Sequence, residues 1–228
     1  HLPVPDFLEE IEKDIRGLRI AVCEDFFGDS LDDEVAALTN TSLDVYRRLG
    51  ATIVPVRFPE MQDLVALTTV LSSSESAGYH ASGLASDWDR YGHQTRGRML
   101  AGLFYPAVTY QQALKLRAPI LRAFCKAMFA NADVMHAPGL DTPVPTIAET
   151  DHSDGPGFLQ ALIRLTRNIR PFNYLGVPTM AVPAGFTANG LPASFQLAGR
   201  PFDEATVYRT ARAYERATGC TDTHPQLD

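Results

Sequence analysis

The sequence predicts an α/β fold: a mixed, mostly parallel sheet of about five or six strands with helices on both faces. Three observations lead there. Strand-like and helix-like stretches alternate early, strand–helix–strand within about forty residues, which is the spacing of a parallel βαβ unit. The strand candidates are short continuous apolar runs, as expected where helices cover both sheet faces. Late in the chain an Asn-Gly step joins two such runs, the signal of an antiparallel hairpin. With 228 residues, of which 45% are hydrophobic and 21% charged, the chain can bury one large core or two small ones.

Each element has a local reason. Pro5-Asp6 opens a short helix through Phe7, Leu8 and Ile11. Arg19–Cys23 is apolar and partly β-branched, bounded by Gly17 and Asp25, and reads as a strand. Val35, Leu38, Ser42, Val45 and Leu49 recur at spacings of three and four, one helix stripe, with Gly50 as its stop. Ser42 is the single polar member of that stripe. Thr52–Val56 is the next strand, and its internal Pro55 places it at an edge or a strand end. Residues 59–78 read as helical, while 81–102 are mixed and give no clear period. Thr109 and Gln112 form a capping box for a long helix to about residue 130, with Ala113, Leu116, Ile120, Phe124 and Met128 on its inner stripe. A brief strand follows at 133–136, then a loop over 137–157, long enough to suggest a functional role. A helix is expected over 158–170. Strands at 179–182 and 194–197 flank Asn189-Gly190. Asp203 can cap a last helix with inner residues Val207, Ala211 and Tyr214, ending before Gly219.

Composition narrows the function. There are 20 Lys and Arg against 27 Asp and Glu, a net charge of −7, so a nucleic acid held by charge alone is not expected. No apolar run approaches the roughly 18 residues a membrane helix needs, and no signal peptide is visible. Three dispersed cysteines, Cys23, Cys125 and Cys220, fit reduced thiols and a cytoplasmic setting. The chain opens at His1 in a linker-like stretch, so it is expected to be part of something longer.

Self-contained catalytic groups are scarce. No G-x-S-x-G elbow or S-x-x-K pair occurs, no Gly-rich run suits an oxyanion hole, and no two histidines have local zinc-ligand spacing. Four constellations each have a plainer reading. Ser72-Ser73-Ser74 with Glu75 could be nucleophile and base, but neighbours on a helix point different ways, so a helix surface is preferred. Glu149, Asp151, His152 and Asp154 could hold a cation, against a solvated acidic loop. Cys23 near Asp25 could be a nucleophile, against a buried thiol. His136, at a strand end, could be functional, against a hydrogen-bonded structural histidine.

The second half of the chain carries a set of ordered blocks. They are Ala132-Asp133-Val134-Met135 with Pro138, Pro171-Phe172-Asn173-Tyr174-Leu175-Gly176-Val177-Pro178, Ala181-Val182-Pro183-Ala184-Gly185-Phe186, Asn189-Gly190-Leu191-Pro192, and Gln196-Leu197-Ala198-Gly199-Arg200-Pro201-Phe202-Asp203-Glu204. In order and spacing this closely resembles the C-terminal half of amidase signature enzymes, and the front of the chain fits as well. The resemblance implies half of that fold over residues 1–228, with 1–16 a linker and short helix leading in. It implies a serine amidase that hydrolyses a small carboxamide to acid and ammonia through a Ser-cisSer-Lys acyl-enzyme, with no cofactor or metal. The family's two serines, its lysine and its Gly/Ser-rich loop would lie upstream of the matched region. Neither Ser72 to Ser74 nor Lys13, Lys115 or Lys126 matches those motifs, so the chain alone is expected to be inactive.

For substrate contacts the resemblance points to Arg117, Ile163, Thr166 and Asn173. In the A subunits of glutamyl-tRNA amidotransferases an aspartate aligned with Thr166 reads the glutamine amino group, and an arginine aligned with Arg117 grips its carboxylate. Thr166 lacks that charge, which disfavours the amidotransferase alternative. The plainer reading of Arg117 is an ion pair on the long helix; that of Asn173 is a residue stitching the loop before the strand. A further alternative is a non-catalytic fragment that works by pairing. Expected partners are a small amide, together with a separate N-terminal half or a second copy of the chain, as in a homo-oligomer.

Overall fold

The computed structural model describes residues 4–150 and 163–223. Among these residues five strands form one mixed sheet: β1 (Arg19–Cys23), β2 (Thr52–Val56), β3 (Val134–Pro138), β4 (Thr179–Phe186) and β5 (Pro192–Ala198), in the order β2-β1-β3-β5-β4. The pairs β2–β1 and β1–β3 are parallel, with Ile20 level with both Ile53 and Val134. Strand β5 lies antiparallel to β3, and its hairpin partner β4 flanks it on the outside, Val182 opposite Phe195. The Pro55 strand is at the sheet edge, where a missing N–H costs no ladder bond. Arg19 ties β1 to the start of β3: its Nη2 donates to Asp133 Oδ1 at 2.8 Å and its backbone N–H to Oδ2 at 2.9 Å.

Alternation along the strands sends side chains into two cores. On one face Ile20, Val134, Phe195 and Leu197 meet Val45 and Tyr46 of α1 (Asp33–Arg48). On the other, Ala21, Cys23 and Met135 meet Leu64 and Leu71 of α2 (Asp63–Ser86) and Phe124 and Met128 of α4 (Ala107–Phe129). Between those two helices in the chain runs α3 (His93–Gly102), packed on α2 in the stretch where the sequence showed no clear period.

The helix stops and starts follow local chemistry, with corrections. Helix α4 begins at Ala107, with extended Pro106 as its N-cap and no side-chain cap bond, so Thr109 sits inside the first turn instead of capping it. On its stripe Ala113, Phe124 and Met128 are buried, but Leu116 is exposed. A capping box does occur further on, in the stretch read as loop. Thr146 and Glu149 exchange bonds at the start of α5 (Ile147–Thr150). The lead-in at 6–13 forms successive turns in place of a helix, held to the last helix by Glu12 on Arg212 and Arg216. So short a segment gains little as an isolated helix. The Pro171-Phe172-Asn173 block is not loop but α6 (Arg170–Leu175), with Pro171 in the first turn, where its missing N–H is harmless. The final helix, α7 (Glu204–Thr218), buries Val207, Ala211 and Tyr214 as expected and stops at Gly219. Asp203 precedes it but accepts from the Thr206 hydroxyl, at 2.7 Å, instead of from a backbone N–H. The expected helix over 158–170 falls partly outside the described residues; 163–166 are helical.

Candidate functional site

The carboxyl ends of the parallel strands are where α/β folds gather functional groups. After β1 the chain turns sharply. Phe26 has φ 74°, a left-handed conformation uncommon for a bulky residue. Its ring lies 3.6 Å from the Arg167 guanidinium, and its carbonyl accepts from Arg167 Nη2 at 2.6 Å. After β3, Asp141 is 1% exposed. Its carboxylate accepts from Asn168 Nδ2 at 2.7 Å and from Ser30 Oγ at 3.1 Å, with Arg167 Nη1 3.5 Å away. Gln196 of β5 donates to the carbonyls of Pro138 and Asn168. A buried carboxylate with several donors and a cation beside it is satisfied, so this network fixes two loops and the 167–168 backbone at the strand ends. Periodicity does not reveal it: Arg167, Asn168 and Asp141 lie in stretches without a clear stripe. The one local signal is Asp141-Thr142-Pro143 just after a strand.

The 163–170 run is thereby pinned on two sides. Arg167 and Asn168 anchor it to the strand ends, and Arg170 anchors it to α2, its Nε donating to Thr166 Oγ1 and its Nη1 to Thr69 Oγ1, both at 2.7 Å. Thr166 is half-buried on this run and Ile163 lies one turn before it. Asn173 is exposed on α6, its backbone N–H donating to the Ile169 carbonyl at 3.2 Å. Arg117 is exposed on α4, and its guanidinium covers Gly176 at the other end of α6; a Cβ there would lie 2.6 Å from Nη2. It has no carboxylate partner among the described residues. The ion pair of the plainer reading is therefore not formed there. The structure strings the four expected residues along α6 and the turn before it, Thr166 by its start and Arg117 over its end. A cavity of about 430 Å³ lies elsewhere, between the lead-in turns and α7, lined by Ile11, Glu12, Leu49 and Arg216 among others.

The other four constellations have structural roles wherever the described residues cover them. Cys23 is buried, and burial pushes its thiol pKa up, opposite to what a nucleophile needs. Its neighbour Asp25 is engaged by Arg57 at 2.6 Å and by the Phe58 N–H at 2.7 Å. Ser72 to Ser74 lie within α2; the Ser72 hydroxyl donates to the Thr69 carbonyl at 3.4 Å, and Glu75 accepts from Tyr110 at 3.4 Å. Glu149 is used in its capping box, and Asp151, His152 and Asp154 lie outside the described residues. His136 is structural: 2% exposed, stacked on Phe195 at 4.5 Å, with Nε2 2.8 Å from Ser42 Oγ. Ser42 donates its own proton to the Thr39 carbonyl at 2.6 Å, so Nε2–H is the donor to the serine. Burial holds this histidine neutral, with its pKa lowered to about 3.

The chain is similar in sequence and in fold to known proteins. A family model described as Amidase matches residues 1–208. An amidase of Pseudomonas putida is 31% identical over 226 residues, covering 99% of this chain and 48% of that protein. The glutamyl-tRNA(Gln) amidotransferase of Bacillus licheniformis has an A subunit that is 34% identical over 251 residues, covering 100% of this chain and 50% of its own length. Among solved structures, a crystal structure of an amidase superposes with a TM-score of 0.77 at 25% identity, over 90% of this chain and 46% of the other. A bacterial aryl acylamidase shares the fold, with a TM-score of 0.70 at 19% identity over 97% of this chain and 48% of that one. The chain thus spans about half the length of the curated relatives it matches. Matched by that family model over residues 1–208 and similar in fold to a solved amidase, the chain belongs to the amidase signature family.

Proposed function

We propose that these residues form the substrate-facing half of a serine amidase that hydrolyses a small carboxamide to acid and ammonia. The observation that carries this is the family match across residues 1–208. In the reaction a serine hydroxyl adds to the amide carbonyl, a base takes its proton, the C–N bond breaks as nitrogen gains a proton, and water splits the acyl-enzyme. The two serines, the lysine and the oxyanion loop are supplied by polypeptide outside these 228 residues. The present chain contributes orientation, which is a large part of any acyl-transfer rate. Arg117, Ile163, Thr166 and Asn173 face the substrate, with the Arg117 guanidinium, which has no ion pair among the described residues, available to an acid or polar carbonyl.

A second reading, the A subunit of an amidotransferase, is favoured by the 34% identity to the B. licheniformis protein. The neutral Thr166 argues against it, because it offers no charge to a glutamine amino group.

The experiment measures ammonia release from acetamide, benzamide and glutamine. Residues 1–228 are assayed alone and after mixing with a chain carrying the other half of an amidase signature enzyme. Expected is no release alone, and release from a simple amide in the mixture. Hydrolysis by the isolated chain would overturn the placement of the catalytic groups. Release from glutamine and from neither simple amide would favour the second reading.

A further inference from the structure

From residue 163 to the end of α6 the backbone runs as successive helical turns. Ile169 joins the two parts. Its dihedrals are helical, φ −90° and ψ −24°. Its N–H donates to the Thr166 carbonyl at 3.3 Å, and its own carbonyl accepts from the Asn173 N–H at 3.2 Å. Spacings of three and four therefore put Thr166, Ile169 and Asn173 on one face of this strip. The opposite face is buried and bonded. Asn168 donates to Asp141 at 2.7 Å, Phe172 stacks on Phe27 with centroids 6.0 Å apart, and the Tyr174 hydroxyl donates to the Ala113 carbonyl at 2.6 Å. These three anchors keep the strip from rolling about its axis, so the fold fixes which side chains stand outward.

In the middle of the outward face is a large apolar group. Ile169 is 37% exposed, between the neutral polar residues Thr166 and Asn173. The Arg117 guanidinium covers Gly176 at the far end of the same helix. An apolar contact flanked by a few polar groups is the make-up of small-molecule sites, where apolar area gives affinity and polar atoms set orientation. We propose that Ile169 is a specificity-determining residue, packing against an apolar acyl group, and that the substrates are amides with an alkyl or aryl acyl chain in preference to acetamide. This rests on the amidase reading and adds to it the chemical class of the acyl group.

The test measures ammonia release by the reconstituted two-half enzyme from acetamide, butyramide and benzamide. Parent, Ile169→Ala and Ile169→Val are compared. The parent should favour butyramide or benzamide over acetamide in kcat/KM. Ile169→Ala should lower that ratio about tenfold, because only a substrate that fills the apolar contact loses by its truncation. Ile169→Val removes a single methyl group and should shift the ratio less, in the same direction; it keeps the test usable if the alanine variant fails to fold. A parent that favours acetamide, or ratios unchanged in both variants, would overturn the assignment. Weaker association of the two halves with unchanged ratios, followed by light scattering, would make Ile169 an interface residue and overturn it as well. Those results leave the amidase reading standing. A parent that hydrolyses none of the three amides would overturn that reading and the assignment with it.

Discussion

His136 shows how one buried side chain couples packing to pH. An unfolded histidine titrates near 6.5, whereas in the fold burial lowers the value to about 3. Between those values the unfolded chain binds a proton that the folded chain refuses, so stability falls as pH drops from 6.5 toward 3 and is unaffected by this group well above 6.5. The expected loss at pH 5 relative to pH 7 is roughly 2 kcal/mol from this residue. Urea denaturation at the two pH values measures it, and His136→Gln should remove that part of the difference. Ser42→Ala leaves the Nε2–H buried without its acceptor and should cost about 1–3 kcal/mol at pH 7, read as a shift in the urea midpoint. Ser42 is visible in the sequence as the polar member of an apolar stripe. Its partner is not, because His136 is 94 residues away and only the sheet brings the two together. Arg117 gives a kinetic prediction at the same scale. With no ion pair to lose, Arg117→Ala should leave thermal stability within about 0.5 kcal/mol, yet lower kcat/KM of the reconstituted enzyme roughly 10- to 100-fold for an acid-bearing amide. A fall in melting temperature with unchanged kinetics would make it structural.

Among the elements, the α2–α3 pair is the one that periodicity describes least well. Its contact depends on close backbone approach: a Cβ on Gly102 would land on the Ser73 carbonyl oxygen and crowd Ala77. Gly102→Ala therefore forces the helices apart and should cost about 1–3 kcal/mol, measured by thermal denaturation. An unchanged midpoint would show that the contact yields freely. A glycine packing face has no apolar stripe, which is why 81–102 gives no readable period. The hairpin is the opposite case. Asn189-Gly190 with flanking apolar runs specifies a local structure, and β4 and β5 follow it. Helix α6 lies between these cases. A Pro-Phe-Asn stretch of six residues is too short to show a helical period, but Gly176, with φ 70°, closes it as a left-handed cap.

For the whole molecule, the order β2-β1-β3-β5-β4 leaves β4 paired on one side only among the described residues. Beside it Phe186 is 47% exposed and Leu191 40%. An open strand edge with apolar neighbours favours pairing with another chain. Light scattering at increasing concentration should show species heavier than the 25.0 kDa monomer, replaced by a one-to-one complex when the complementary half is added. A monomer at every concentration, indifferent to that half, would argue against pairing.

The elements marked by a short-range pattern are legible in the order of amino acids alone: β1, α1, β2, the late hairpin and α7, each signalled by an apolar run, a period or a turn within a few residues. The ordered blocks that mark the family are legible for the same reason. Only tertiary structure decided the Asp141–Arg167–Asn168 network, the Ser42–His136 pair, and the separation of Arg170 and Arg117 from carboxylates among the described residues. Those features depend on which charges and hydroxyls meet across the sheet, and burial makes each such meeting decisive by removing the water that would otherwise satisfy them.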